Sequence, residues 1–168
     1  MTRSAPGWIV GSLAALLALG AAPDAQALVG SGILKGRSTL SVKSCGRDRG
    51  VFRAVVGLSE DGTWTATNPE GAIHGTWAPV GTGGRKFSLD FDAASFDAVF
   101  GPIAADVTML CRVAVTPTSI TKRRFTLTLN RRRTRATLSL EYRFTGTSAI
   151  RSGTAKYLLT GSGRWRTG

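Results

Sequence analysis

KRRFTLTLNRRRTRATLSLEYRFT, residues 122–145, alternates apolar and polar side chains twice over. Phe125, Leu127 and Leu129 share one phase, then Ala136, Leu138, Leu140, Tyr142 and Phe144 share another, with Thr, Ser, Arg and Glu between them. Successive side chains of an extended chain leave opposite faces, so this period of two predicts strands buried on one side. The short break at Asn130-Arg131-Arg132-Arg133 predicts that they form an antiparallel hairpin. One face is greasy and the other is Thr, Ser and Arg.

The same alternation extends outward on both sides. Upstream, strands are expected at Ile33–Lys43, Val51–Ser59, Thr63–Asn68, Ala72–Val80 and Lys86–Phe91, separated by turns rich in Gly, Asn, Asp and Pro. Gly30 and Gly32 read as a flexible entry to the first strand. Between Asp92 and Leu110 the rhythm changes: Phe96, Val99, Phe100, Ile103, Val107 and Leu110 have helical spacing. Asp92 or Ser95 can cap that helix, and Pro102 should kink or split it. A strand at Cys111–Thr116, ended by Pro117, should then precede the central hairpin. Gly146–Gly153 reads as a polar loop and Thr154–Trp165 as the last strand, bent at Gly161 and Gly163. The expected fold is all-β: an antiparallel up-and-down β-barrel of about eight or nine strands with one short helical insert. Closure would remove the exposed edges that a chain of hairpins otherwise carries.

The N-terminus stands apart. Arg3 supplies a charge, Trp8–Ala22 is an apolar run, and Ala25-Gln26-Ala27 is a small-residue cleavage site. These parts in this order predict a secretory signal peptide over 1–27, leaving 28–168 as one domain in a secreted or periplasmic protein. An N-terminal membrane anchor is the alternative, disfavoured because the run is short for a span. Past that leader no run is expected to cross a membrane as a helix. In an oxidising compartment Cys45 and Cys111 are most simply read as one disulfide; two buried thiols are the alternative.

The chain carries 22 Lys/Arg against 10 Asp/Glu, a net charge of +12. Residues 28–111 are balanced, so the excess lies beyond Cys111, where Glu141 is the single acid. Such a field attracts polyanions. The best candidate for an anion-binding patch is Lys122, Arg124, Arg131, Arg132, Arg133, Arg135 and Arg143. Lys122 and Arg124 should share the polar face of one strand. Arg133, Arg135 and Arg143 should share that of the next, and Arg131 and Arg132 should sit at the tip. Arg forks hold phosphate and carboxylate with two hydrogen bonds at once. The expected partner is an anionic membrane or cell-wall surface. Nucleic acid is disfavoured, because Phe125, Tyr142 and Phe144 point inward and leave no stacking platform.

Catalytic, cofactor and metal signatures are missing. His74 is the only histidine and lies on the face opposite Ile73, Gly75 and Trp77, so it should be a solvent-facing bystander. Residues 81–86, GTGGRK, lack the spacing of a phosphate loop and lead into a strand, where such a loop needs a helix. Asp90, Asp92, Asp97 and Asp106 surround a helix start and read as helix-end acids, not as a calcium loop.

The G-x-W triplets at Gly62-Thr63-Trp64, Gly75-Thr76-Trp77 and Gly163-Arg164-Trp165, with short strands, a secretion signal and a late basic strand, resemble the lipocalin-like (calycin) small β-barrels. That resemblance implies a barrel end closed by Trp64 against a late Arg, with Arg143 or Arg164 in that place. It also implies a cavity for a small apolar or amphipathic ligand. The expectation is a non-catalytic binding protein, its interior lined by Trp64, Trp77, Tyr142, Tyr157 and Trp165 and able to hold a lipid-like molecule. The rival expectation is a small outer-membrane β-barrel with its greasy face turned to lipid. A structural or surface role is a further alternative.

Overall fold

The computed structural model describes residues 28–43, 45–148 and 152–168. The expected signal peptide, Ser44 and residues 149–151 lie outside the described residues. Eight strands follow one another: β1 (Leu28–Val42), β2 (Gly46–Ser59), β3 (Thr63–Asn68), β4 (Gly71–Pro79), β5 (Lys86–Phe91), β6 (Thr116–Leu129), β7 (Arg135–Thr147) and β8 (Ser152–Thr167). Each pairs antiparallel with the next, and β1 pairs with β8, so the sheet closes into an up-and-down barrel. Among the described residues a single helix, α1 (Ala93–Cys111), occurs, between β5 and β6.

The barrel is lopsided. Strands β1, β2, β6, β7 and β8 have 13–16 residues, whereas β3, β4 and β5 have 6, 9 and 6. The five long strands make a tall wall. The end of the barrel that holds the β1–β2 turn is capped by α1, which buries Val99, Phe100, Ile103 and Val107. Phe100 meets Tyr142 at 4.5 Å and Phe96 at 4.7 Å between ring centroids, and Phe91 stacks on Phe125 at 4.6 Å. Aromatic pairs of this kind add about 0.5–1.5 kcal/mol beyond the area they bury. The other end is filled by Trp165, whose indole lies against Gly30 and Gly32. A side chain at either glycine would collide with it, so both belong to β1 and are not a loose entry.

Several boundaries differ from expectation. Helix α1 begins as anticipated: Asp92 is its N-cap and accepts a hydrogen bond from the Ser95 amide at 2.7 Å. It then runs unbroken through Pro102. The residue before the proline is Gly101, which has no Cβ to clash with the ring. With a mean hydropathy of 1.3 over its 19 residues, α1 is apolar and long enough to pass for a membrane span. Its apolar stripe is used instead to cap the barrel. Cys111 ends α1 and does not start a strand; Arg112 follows in the left-handed region at φ 55°. Pro117 lies inside β6, beside a bulge between Pro117 and Ser119 where the ladder is interrupted. Gly161 and Gly163 produce no bulge; β8 stays in register with β1 and β7 throughout. Those glycines admit a close approach, since a Cβ at Gly161 would strike the Phe52 ring and one at Gly163 the Ile33 carbonyl.

Cys45 and Cys111 form a disulfide with 4.7 Å between Cα atoms. It fastens the end of α1 to the β1–β2 turn. A disulfide is consistent with an extracellular or periplasmic location.

Candidate functional site

The expected interior site is filled. Trp64, Tyr142, Tyr157 and Trp165 are all buried, and Trp77 is half-buried. The Trp64 indole donates to the Asp90 carbonyl at 2.8 Å and the Trp77 indole to the Ser59 carbonyl at 2.9 Å. Burial, with Asp90 adding to it, pushes the Tyr142 hydroxyl up to about 12, so it stays neutral. The enclosed space beside Trp64 and Tyr157 is about 30 Å³. That is room for roughly two waters, not for a lipid. These residues build a core, not a chamber. Nor does Trp64 meet a late arginine: Arg143 and Arg164 both lie on the exposed outer surface.

Polarity runs opposite to that of a transmembrane barrel. The interior is apolar, and the outer wall carries Lys35, Arg37 and Arg53 at mid-height. A cation facing the bilayer midplane costs about 2–4 kcal/mol.

The outer surface of β6-β7-β8-β1-β2 is where charge collects. Strand register sets it out in rows. One row runs Thr121, Arg143, Lys156, Ser41, Arg47. The next runs Arg124, Glu141, Leu158, Thr39, Arg49. Two rows of mainly hydroxyls follow, containing Thr126, Ser139 and Thr160, then Thr128, Thr137 and Ser162, and they end on Arg37 and Lys35 of β1. Arg135 and Arg164 pair on the row below.

Glu141 is the only acid of outward parity among the described residues of this wall. It lies 3.2 Å from Lys156 Nζ, 3.7 Å from Arg143 Nε and 3.8 Å from Arg124. The hydrogen bond from Lys156, reinforced by the charges of Lys156, Arg143 and Arg124, holds its carboxyl below the ordinary glutamate range. One acid thus sits among three cations and leaves positive charge over.

The remaining patch residues are split. A bulge between Lys122 and Arg124 breaks their shared face. Lys122 is turned opposite Tyr142 and pairs with Asp90, while Arg124 faces outward opposite Glu141. Arg133 is in the turn at φ 53°, not on β7. Arg131, Arg132 and Arg133 lie at the far end of the barrel. There the Leu129 amide bonds the Arg85 carbonyl at 2.7 Å, bringing the tip beside the β4–β5 turn.

An open groove of about 770 Å³ occupies the upper wall, lined by Lys43, Arg47, Arg123, Arg143 and Lys156. Only Arg143 of these was singled out in the sequence. The others come from the β1–β2 turn, β2, β8 and the bulge, and pairing of β1 with β8 is what joins the first two to the hairpin. Of the acids of the balanced segment, Asp48 lies on β2 at an inward position opposite Leu40, and the rest lie elsewhere: Glu60, Asp61 and Glu70 in turns, Asp90 and Asp92 at the end of β5, Asp97 and Asp106 on α1.

His74 is exposed, and its backbone amide donates to Ser95 Oγ at 2.7 Å, helping to anchor the start of α1. Among the described residues no group of three or more His, Cys, Asp or Glu converges as metal ligands would. No family model, curated protein or solved structure matches the chain.

Proposed function

We propose that this protein is a secreted or periplasmic, non-catalytic binding protein that docks through its basic wall on a phosphate-bearing anionic membrane surface. One observation carries the reading: cations from five adjacent strands share one outer face on which Glu141 is the single outward acid. Headgroup attraction of about 1 kcal/mol per cation near a charged surface accumulates over such a wall. The hydroxyl rows between the cations add donors and acceptors without adding charge. The disulfide supports the oxidising compartment, and the closed eight-stranded barrel supports lipocalin-like kinship at the level of architecture.

Sedimentation with phosphatidylglycerol and phosphatidylcholine vesicles tests this. Binding should be confined to the anionic vesicles and should weaken at least tenfold as salt rises from about 0.05 to 0.5 M, where screening shortens the reach of charge. The double variant Arg49→Glu/Arg143→Glu should lose most of it. Equal binding to both vesicles, or indifference to salt, would sink the proposal.

A further inference from the structure

The basic groove does not end on charged residues. Toward α1 it opens into an apolar cleft of about 70 Å³, walled by Ile103 and Val107 of α1, Val113 and Val115 of the link to β6, Ile120 of β6 and Phe144 of β7. The Cys45–Cys111 disulfide lines it too. The two depressions are continuous: Val42, Lys43, Phe144, Thr145, Thr154 and Ala155 border both. Water fits the cleft poorly, since a held water needs two to four polar partners and these walls are chiefly aliphatic and aromatic.

A greasy recess that leads directly onto lysines and arginines matches the order of groups in one kind of molecule. We propose that this end of the barrel binds an anionic single-chain amphiphile. Its oxyanion head lies on Lys43, Arg47, Arg123, Arg143 and Lys156, and part of its chain lies in the cleft beneath α1. The size fits: on the measure by which one water needs about 10–15 Å³, the cleft accepts roughly five methylenes. The groove offers Arg forks suited to phosphate or carboxylate. This inference rests on the anionic-surface reading, and adds that the same cations can hold one amphiphile apart from a surface. The small space beside Trp64 and Tyr157 has no part in it.

Calorimetry with octyl phosphate and with inorganic phosphate tests the proposal on the purified protein. Octyl phosphate should bind at least tenfold more tightly, because each buried methylene strengthens binding about threefold to fourfold. Val113→Trp, which fills the cleft from the half-buried link, should bring octyl phosphate down to the level of inorganic phosphate and leave phosphate itself unchanged. Ile120→Trp serves the same purpose should Val113→Trp lose its folded circular-dichroism spectrum. Arg143→Gln/Lys156→Gln should weaken both probes at least fivefold. If octyl phosphate binds no more tightly than phosphate, or keeps its advantage in a folded cleft-filled variant, the amphiphile site is wrong while the basic wall stands. If neither probe nor anionic vesicles bind, the wall reading falls as well.

Discussion

Asp106 is an acid in an apolar place. It stands on α1 between Ile103 and Val107, and its Oδ2 is buried with no hydrogen-bond partner among the described residues. Loss of hydration, with the nearby charge of Asp48 adding to it, pushes its carboxyl above the ordinary aspartate value of 3.8. The folded state therefore holds this proton more firmly than the unfolded chain does. Stability then falls as pH rises from about 4 through the raised value, and the loss is complete once the folded carboxyl is ionised. Asp106→Asn removes that loss. Partial exposure of the residue limits the gain to a few tenths to about 1 kcal/mol at pH 7. Denaturant unfolding at pH 7 and pH 3.5 checks it: the variant should be the more stable at pH 7, and the gap should close at pH 3.5. Glu141 is the opposite case, an acid kept ionised by the three cations around it.

At the scale of an element, β1 and β8 depend on glycine to come close. Gly36 and Gly161 are direct partners across that ladder, and the Phe52 ring of β2 lies against both. A methyl on Gly161 would run into the Phe52 ring and reach 3.0 Å from the Lys35 carbonyl. Neither obstacle is the loose end of a flexible chain, so the strands must part or Phe52 must leave its place in the core. Gly161→Ala should cost about 1–3 kcal/mol, the usual range for an overpacked core. Exposed Gly153 on the same strand has nothing within 4 Å of an added Cβ. Gly153→Ala is therefore the control, and chemical denaturation of the two variants should separate them. The same logic explains why glycines that read as a loose entry and a bulge belong to continuously paired strand. A sequence records that a residue has no side chain, but the ring occupying that space belongs to a distant strand.

For the molecule as a whole, the disulfide joins residues 66 apart and holds α1 over the barrel mouth. A loop of that length constrains the unfolded chain enough to stabilise the fold by about 4 kcal/mol in the chain-entropy model. Cys45→Ser/Cys111→Ser should lower the unfolding free energy by about 2–5 kcal/mol, read from denaturant midpoints under otherwise equal conditions. The loss should be accompanied by weaker octyl phosphate binding, because Cys45 and Cys111 both line the cleft. Charge is likewise a property of the whole. Residues 28–111 are balanced in sequence, yet Lys35, Arg37, Arg47, Arg49 and Arg53 join the wall while their acids, except the inward Asp48 of β2, gather at turns, at the end of β5 and on α1.

Much of the architecture was legible in residues alone. Alternation with a period of two is a local property, so the hairpin of β6 and β7, the strands β3 and β5 and the up-and-down order could all be read directly. The helix was equally plain from its 3.6-residue spacing and its Asp92 cap. What local pattern cannot convey is which strand closes on which, and at what register. Pairing of β1 with β8 decided that Lys156 and Arg143 stand beside Ser41 and Arg47, and so built the groove. The bulge at Lys122–Arg124 shifted parity by one residue and sent Lys122 to Asp90, because each one-residue slip in a strand exchanges its faces. Five inward aromatics suggested a lined chamber, but whether large rings enclose space or fill it depends on their mutual packing. Here α1 from one end and Trp165 from the other complete that packing, which leaves the larger depressions at the mouth beneath α1 and on the outer wall.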